Sequence, residues 1–173
     1  FAVEIKLDTA SVWHKDVRFF EIVDREGRAI GQFYLDMYAR DSKRGGAWMD
    51  DAINRRRKGG GVQIPVAYLT CNFSAPVGGK PALFTHDVVN TLFHEFGHGL
   101  HGMLANTTYP SLSGTSVFWD FVELPSQIME NWCYEPEALA LFANHYETGE
   151  IIPIEYVQKI KESLTSQLHL QRV

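Results

Sequence analysis

Cysteine is scarce: Cys71 and Cys133 are the only two in 173 residues. That is too few for a disulfide framework, and the two are not spaced as a metal-binding pair. Both fall in apolar strand or helix contexts, where small buried thiols are common. A reducing, cytoplasmic setting is therefore expected. A cysteine nucleophile at Cys71 is an alternative chemistry, but no motif ties a histidine or acid to it. A basic surplus is missing too. Sixteen Lys and Arg against 21 Asp and Glu give a formal charge of -5, which offers no footing for a phosphate backbone, so nucleic acid is not an expected partner. RRRK at 55–58 runs into glycines and reads as a solvated loop. The glycine runs at 59–61 and 78–79 lack the GK[ST] ending of a phosphate loop. No apolar run approaches the roughly 20 residues of a membrane span, and no basic-then-apolar leader opens the chain, so no membrane partner is expected.

The 45% apolar content is enough to bury a core and points to one domain. The first half carries strand patterns. VRFFEIVD (17–24) and AIGQFYLDM (29–37) flank a turn at REGR, and GVQIPVAYLTCNF (61–73) reads as a further strand that Pro65 places at an edge or a bulge. An edge strand beside a functional helix could take up a peptide as an added strand, or be merely structural. SAPVGGKP (74–81) reads as a flexible loop. The second half is helical: Pro136 and Gly149 bracket one helix with Leu139, Phe142, Ala143 and Tyr146 on its buried face, and Pro153 starts another. The expected fold class is α+β and zincin-like, a small antiparallel or mixed sheet followed by about four helices. Residues 1–80 form its sheet-bearing part and 81–173 its helical part.

Within the helical part, HEFGHGLH (94–101) packs three histidines, a glutamate and two glycines into eight positions. Thr85 is a candidate N-cap and Asp87 a first-turn acid, so a helix should start near residue 86. Val88, Val89, Leu92, Phe93, Phe96, Leu100, Met103 and Leu104 then recur at helical spacing as a core stripe. His94 and His98, four apart, can lean toward one point, which is metal-ligand geometry. HExxH on a helix is a zinc-peptidase signature, in which Glu95 would be the general base. His101 lies about 10 Å along the axis from His94. It reads as an orienting or structural residue rather than a ligand.

A catalytic zinc typically needs a third protein ligand. DFVELPSQIMENW (120–132) offers Asp120, Glu123 and Glu130 at intervals of three and seven, on one face if the segment is a helix. Glu123 reads as the third ligand, with Asp120 and Glu130 orienting the histidines through their second ring nitrogens. A solvated acidic face is the other reading of that spacing. Pro125 breaks or starts the helix and so alters how Glu123 is presented. The loop ANTTYPSLSGTS (105–116) between the two segments has the length of loops that touch substrate, although Gly114 could merely supply a turn.

FHEFGHGLH followed by SGTSVFWDFVELPSQIMENW resembles the thimet oligopeptidase family of zinc peptidases. So do the stretches 13–49, 66–73 and 130–150, in the same order, so that nearly the whole chain is covered. The motif HEFGHxxH with a glutamate 25 positions after its second histidine is specific to the group. The resemblance implies zinc ligation by His94, His98 and Glu123, one Zn2+ per chain, and Glu95 as base. It also implies several hundred residues in a whole member, with tyrosines and a histidine beyond the point matching Val173 stabilising the tetrahedral intermediate, and helical walls around a channel for short peptides. The chain starts at Phe1 without methionine and ends in an uncapped helical pattern, so it reads as a fragment of a catalytic domain. The expected function is zinc-dependent hydrolysis of short oligopeptides. The competing reading is a zinc-bearing peptide-binding piece without turnover. Self-association through exposed apolar surface is expected of such a piece.

Overall fold

The computed structural model describes residues 2–170, with side chains as far as residue 163. It contains two compact units, Phe1–Met129 and Glu130–Val173. The first unit is built on strands β1 (Glu4–Asp8), β2 (Arg18–Val23), β3 (Ala29–Tyr38), β4 (Trp48–Ile53), β5 (Arg56–Lys58), β6 (Gly61–Gln63) and β7 (Val66–Phe73). Five of them form one sheet in the order β1-β2-β3-β7-β4, while β5 and β6 pair separately. The sheet is mixed, because β3 and β7 run parallel while the other neighbours are antiparallel. Alternation along β2 and β3 feeds both faces. Phe33 and Ile22 join Ala67 and Leu69 in the core, while Phe19, Tyr34, Tyr68 and Trp13 form an aromatic cluster with ring centroids 4.7–5.6 Å apart.

Two expectations are corrected here. The stretch 61–73 is not one strand: it breaks at Pro65, whose missing N–H ends β6 before β7 begins. β7 is also not an edge, since it lies between β3 and β4 and is buried along most of its length. The edge on that side is β4, and the other edge, β1, is exposed throughout. β4 (WMDDAI) lacks the alternating apolar pattern of a half-buried strand, whereas β1 (EIKLD) alternates yet is exposed along its whole length. In the basic run, Arg56–Lys58 are exposed as expected, but they belong to a small hairpin rather than a loop, and Arg55 is half-buried.

Helix α1 (His86–Leu104) packs on the sheet through Leu100 and Met103. A Cβ on Gly31 of β3 would meet Met103 at 3.0 Å, and one on Gly99 would meet Leu69 of β7 at 3.0 Å. The helix starts where the sequence put it. Thr85 holds the extended N-cap conformation, although its side chain makes no capping bond. The loop 105–116 folds back on α1: Gly114 takes φ +57, and a Cβ there would come within 2.9 Å of the Gly102 Cα. Gly114 therefore serves both the turn and a close backbone approach. Next comes a helix interrupted at Glu123, in two pieces, α2 (Trp119–Val122) and α3 (Leu124–Glu130).

In the second unit, Pro136 does open α4 (Pro136–Phe142), but the helix stops at Ala143 instead of running toward Gly149. Residues 144–151 form a turn closed by an Asn144–Ile151 bridge, with the Gly149 N–H donating to the His145 carbonyl at 2.8 Å. Leu139 is buried as expected, whereas Phe142 and Tyr146 are exposed. α5 (Ile154–Leu170) follows Pro153. The α+β class stands: the described residues form a mixed sheet of five strands and a small hairpin, then four helices, the second one broken.

A buried ionic knot in the first unit had no signal in the sequence. Asp36 of β3, 3% exposed, accepts two bonds from Arg40 at 2.7 Å, one from Lys43 at 2.9 Å and one from the Trp13 indole at 3.0 Å. Lys43 also donates to the main-chain oxygens of Asp36, Tyr38 and Cys71. Burial alone would raise the Asp36 carboxyl, but the bonds from Arg40, Lys43 and Trp13 outweigh it and hold it at about 2. A carboxyl depressed on folding contributes stability above its unfolded value near 4, and that contribution is lost as pH falls through about 2. Asp36→Asn leaves a buried lysine uncompensated and should cost about 3–5 kcal/mol in urea unfolding. The variant should also lose this part of the acid dependence between pH 4 and 2. A cost under about 1 kcal/mol would show the knot to be solvated.

Candidate metal centre

α1 carries His94, Glu95 and His98 on consecutive turns, and the two imidazoles meet edge to face with centroids 4.8 Å apart. Glu123 comes from the break between α2 and α3. It ends α2 in a helical conformation (φ -85, ψ -4), and its carbonyl already accepts the Gln127 N–H at 3.0 Å, which starts the next turn. Pro125 explains the break. It sits in the first turn of α3, where its missing N–H costs nothing, so the chain restarts the helix there and Glu123 is left at the joint.

The Glu123 Oε2 lies 3.2 Å from His94 Nε2 and 3.1 Å from His98 Nε2. Among the described residues, these three side chains form a group whose donor atoms all lie within 4.8 Å of one another, and it could hold a metal ion. His98 is 12% exposed, His94 27% and Glu123 48%, so the group is closed on the helix side and open on the Glu123 side.

Glu95 is buried beside this group at 7% exposure. Burial pushes its carboxyl up, the neighbouring His94 pulls it down and Glu123 raises it further, with a net rise. A carboxylate raised toward neutral pH is a better proton acceptor than an exposed one. Burial likewise lowers His98, while Glu123 acts in the opposite direction.

His101 stays outside the three-residue group. Its ring lies 6.1 Å from that of Phe121, and it lines an apolar cavity of about 320 Å³ with Gly97, Leu100, Leu124 and Ile128. Burial lowers its pKa. Asp120 does not take the orienting position expected from its spacing. It is exposed on α2, and among the described residues it bonds to neither imidazole and the buried His98 Nδ1 has no hydrogen-bond partner. The reason is the break at Glu123, which removes the single straight face on which the three acids were aligned. Glu130 closes α3 and belongs to the second unit.

Neither cysteine has the environment of a nucleophile. Cys71 and Cys133 are both free and fully buried, and burial pushes their thiols up to about 12 and about 11. A thiol held protonated is inert.

One residue went unremarked in the sequence. Ser126, fully buried, donates its hydroxyl to Glu123 Oε2 at 2.8 Å and lies 2.9 Å from the Glu123 carbonyl. A serine three residues after an acid is too common a pattern to announce this.

A mixed sheet, a helix packed on it that carries the HExxH sequence, and a glutamate delivered from the next helix thus meet in one place. Comparison with known proteins identifies the family. The chain belongs to peptidase family M3, whose family model matches residues 1–173. It is 64% identical to the oligopeptidase A of Escherichia coli (strain K12) over 151 residues, which is 86% of this chain and 22% of that protein. To the oligopeptidase A of Haemophilus influenzae it is 58% identical over 169 residues, covering 96% of this chain and 24% of the relative. The dipeptidyl carboxypeptidase of Escherichia coli (strain K12) is 47% identical over 152 residues, 88% of this chain and 22% of that protein. The chain thus spans less than a quarter of the length of these relatives. The resemblance to the thimet oligopeptidase family agrees with this membership. No helix among the described residues is long and apolar enough to cross a membrane.

Proposed function

We propose that the chain carries the metal site and general base of a zinc-dependent oligopeptidase, with His94, His98 and Glu123 as ligands and Glu95 as base. One observation above all supports this: a single carboxylate oxygen lies within 3.2 Å of two imidazole nitrogens. A tetrahedral zinc with bonds of about 2.0–2.2 Å would set its donors roughly 3.4 Å apart, close to that spacing, and two nitrogens with one carboxylate are a donor set of catalytic zinc sites. Bound there, zinc would act as a Lewis acid on the scissile carbonyl and lower the pKa of a water.

The chain's own residues supply the rest. Glu95, next to His94 and raised by burial, takes a proton from the attacking water and returns it to the departing amine. The helix holds Glu95 one residue from a ligand, so base and metal keep a fixed separation throughout the reaction. A reducing, cytoplasmic setting suits the two buried free thiols.

The test separates holding the metal from using it, in a polypeptide of the relatives' full length that carries these residues. Glu95→Gln should keep zinc and peptide binding yet slow hydrolysis of a quenched fluorescent peptide by at least about a hundredfold, as for a lost general base. Near-normal turnover would remove Glu95 from the mechanism.

A further inference from the structure

The ligand-bearing segments are in backbone contact away from the ligands themselves. A Cβ on Gly97 would lie 2.5 Å from the Ser126 Cα, 2.7 Å from the Pro125 oxygen and 2.9 Å from the Ser126 nitrogen. No side chain fits there, so the backbone of α1 rests directly on the peptide joining Pro125 to Ser126. Gly97 is one residue from His98, and Ser126 is three from Glu123. The contact therefore sets how far apart the histidine pair and the carboxylate can stand.

Ser126 adds direction to that distance. Its hydroxyl has one proton and two acceptors within reach, the Glu123 carbonyl at 2.9 Å and Oε2 at 2.8 Å. A serine in a helix often spends its hydroxyl on a carbonyl one turn back. Here that carbonyl is already served by the Gln127 N–H at 3.0 Å, and a bond to an ionised acceptor is roughly twice as strong as one to a neutral acceptor. The proton therefore goes to the carboxylate. Oε2 is also the oxygen that faces both imidazoles. Because Glu123 is half exposed, its carboxylate would otherwise be free to swing into solvent.

We infer that Ser126, seated against Gly97, is a positioning residue that fixes the Glu123 carboxylate in the orientation needed to complete the metal site. This rests on the ligand assignment proposed above and adds a residue to it. Ser126→Ala tests it with little risk to the fold. Alanine fits where serine sits, keeps helix propensity, and leaves the Glu123 carboxylate open to water. The readouts are zinc affinity by chelator competition and the visible absorption spectrum of the Co2+-loaded chain, with circular dichroism as a check on folding.

Zinc affinity should fall about tenfold to a hundredfold, the usual effect of removing a group that orients a ligand. The Co2+ bands should weaken and shift as the carboxylate loosens. Ser126→Thr, which keeps the hydroxyl, should recover most of both. A folded Ser126→Ala chain with unchanged affinity and an unchanged spectrum would overturn the inference while leaving the ligand set intact. A wild-type chain that takes up neither ion would instead overturn the ligand assignment, and this inference with it. Should Ser126→Ala lose its fold, Ser126→Thr decides. Wild-type metal parameters in a folded threonine variant support the role of the hydroxyl, and a tenfold loss there overturns it.

Discussion

His98→Ala is expected to abolish zinc binding by the chain, and His101→Ala to leave it in place. The two histidines lie three residues apart on one helix and are both largely shielded by protein, so burial does not distinguish them. Position does. His98 Nε2 is 3.1 Å from the Glu123 carboxylate, and removing it leaves one imidazole and one half-exposed carboxylate, one donor short of the three that catalytic zinc sites typically use. His101 sits beyond the three-donor group, in the apolar cavity between α1 and α3. Its substitution should show in stability instead, as a modest loss of packing against Phe121. Metal content after dialysis against a weak chelator is the measurement. The expected result is about one zinc per chain in wild type and His101→Ala, and essentially none in His98→Ala. Equal loss in both variants would sink the assignment.

The second large effect concerns the 173-residue chain assayed on its own, which should hydrolyse peptides at least a hundredfold more slowly than a full-length relative even when fully zinc-loaded. The chain matches only 22% of the length of the Escherichia coli oligopeptidase A. The resemblance puts the groups that stabilise the tetrahedral intermediate outside the matched stretch. Losing one such donor typically costs about a hundredfold to a thousandfold in rate, and a peptide without channel walls around it is poorly positioned as well. The same chain exposes Phe118 at 88% and Trp119 at 87%, one turn before Glu123, with Tyr109 and Leu112 also uncovered. Apolar surface of that kind favours association. We propose that the isolated chain self-associates through it. Sizing the chain in solution beside the peptide assay tests both expectations. Turnover like that of a relative, from a monomer, would show that the whole catalytic apparatus lies within these residues.

How much of the site was legible depended on how local its geometry is. His94, Glu95 and His98 share one unbroken helix, where a spacing of four dictates the direction in which side chains point, and the core stripe at Leu100 and Met103 fixes which face of that helix meets the sheet. Glu123 was legible as a residue but not in its presentation. The alignment of Asp120 with it assumed a straight helix, and Pro125 divides that helix, so Asp120 faces solvent. β4 carried no signal because its apolar residues do not alternate, whereas β1, EIKLD, does alternate and was readable from its pattern. β7 was misplaced because a proline at its start has the same local signature at an edge as at a boundary between two strands.

The sequence by itself determined the chemistry available: an HExxH helix, a later glutamate, two thiols in apolar settings, and no cationic surplus. It also determined the class of fold, since alternation and helical spacing are local properties of the chain. Only the tertiary structure decided which oxygen meets which nitrogens, that Gly97 lies against the Pro125–Ser126 peptide, that Ser126 holds the carboxylate, and that Asp36 gathers Trp13, Arg40 and Lys43 into a buried knot. Most of these are contacts between segments distant in the chain or choices among competing acceptors, and the local pairs of Asp36 with Arg40 and Lys43 are closed by the distant Trp13. They depend on separations of a few tenths of an ångström, set by how helix and sheet pack, and no spacing along the sequence encodes them.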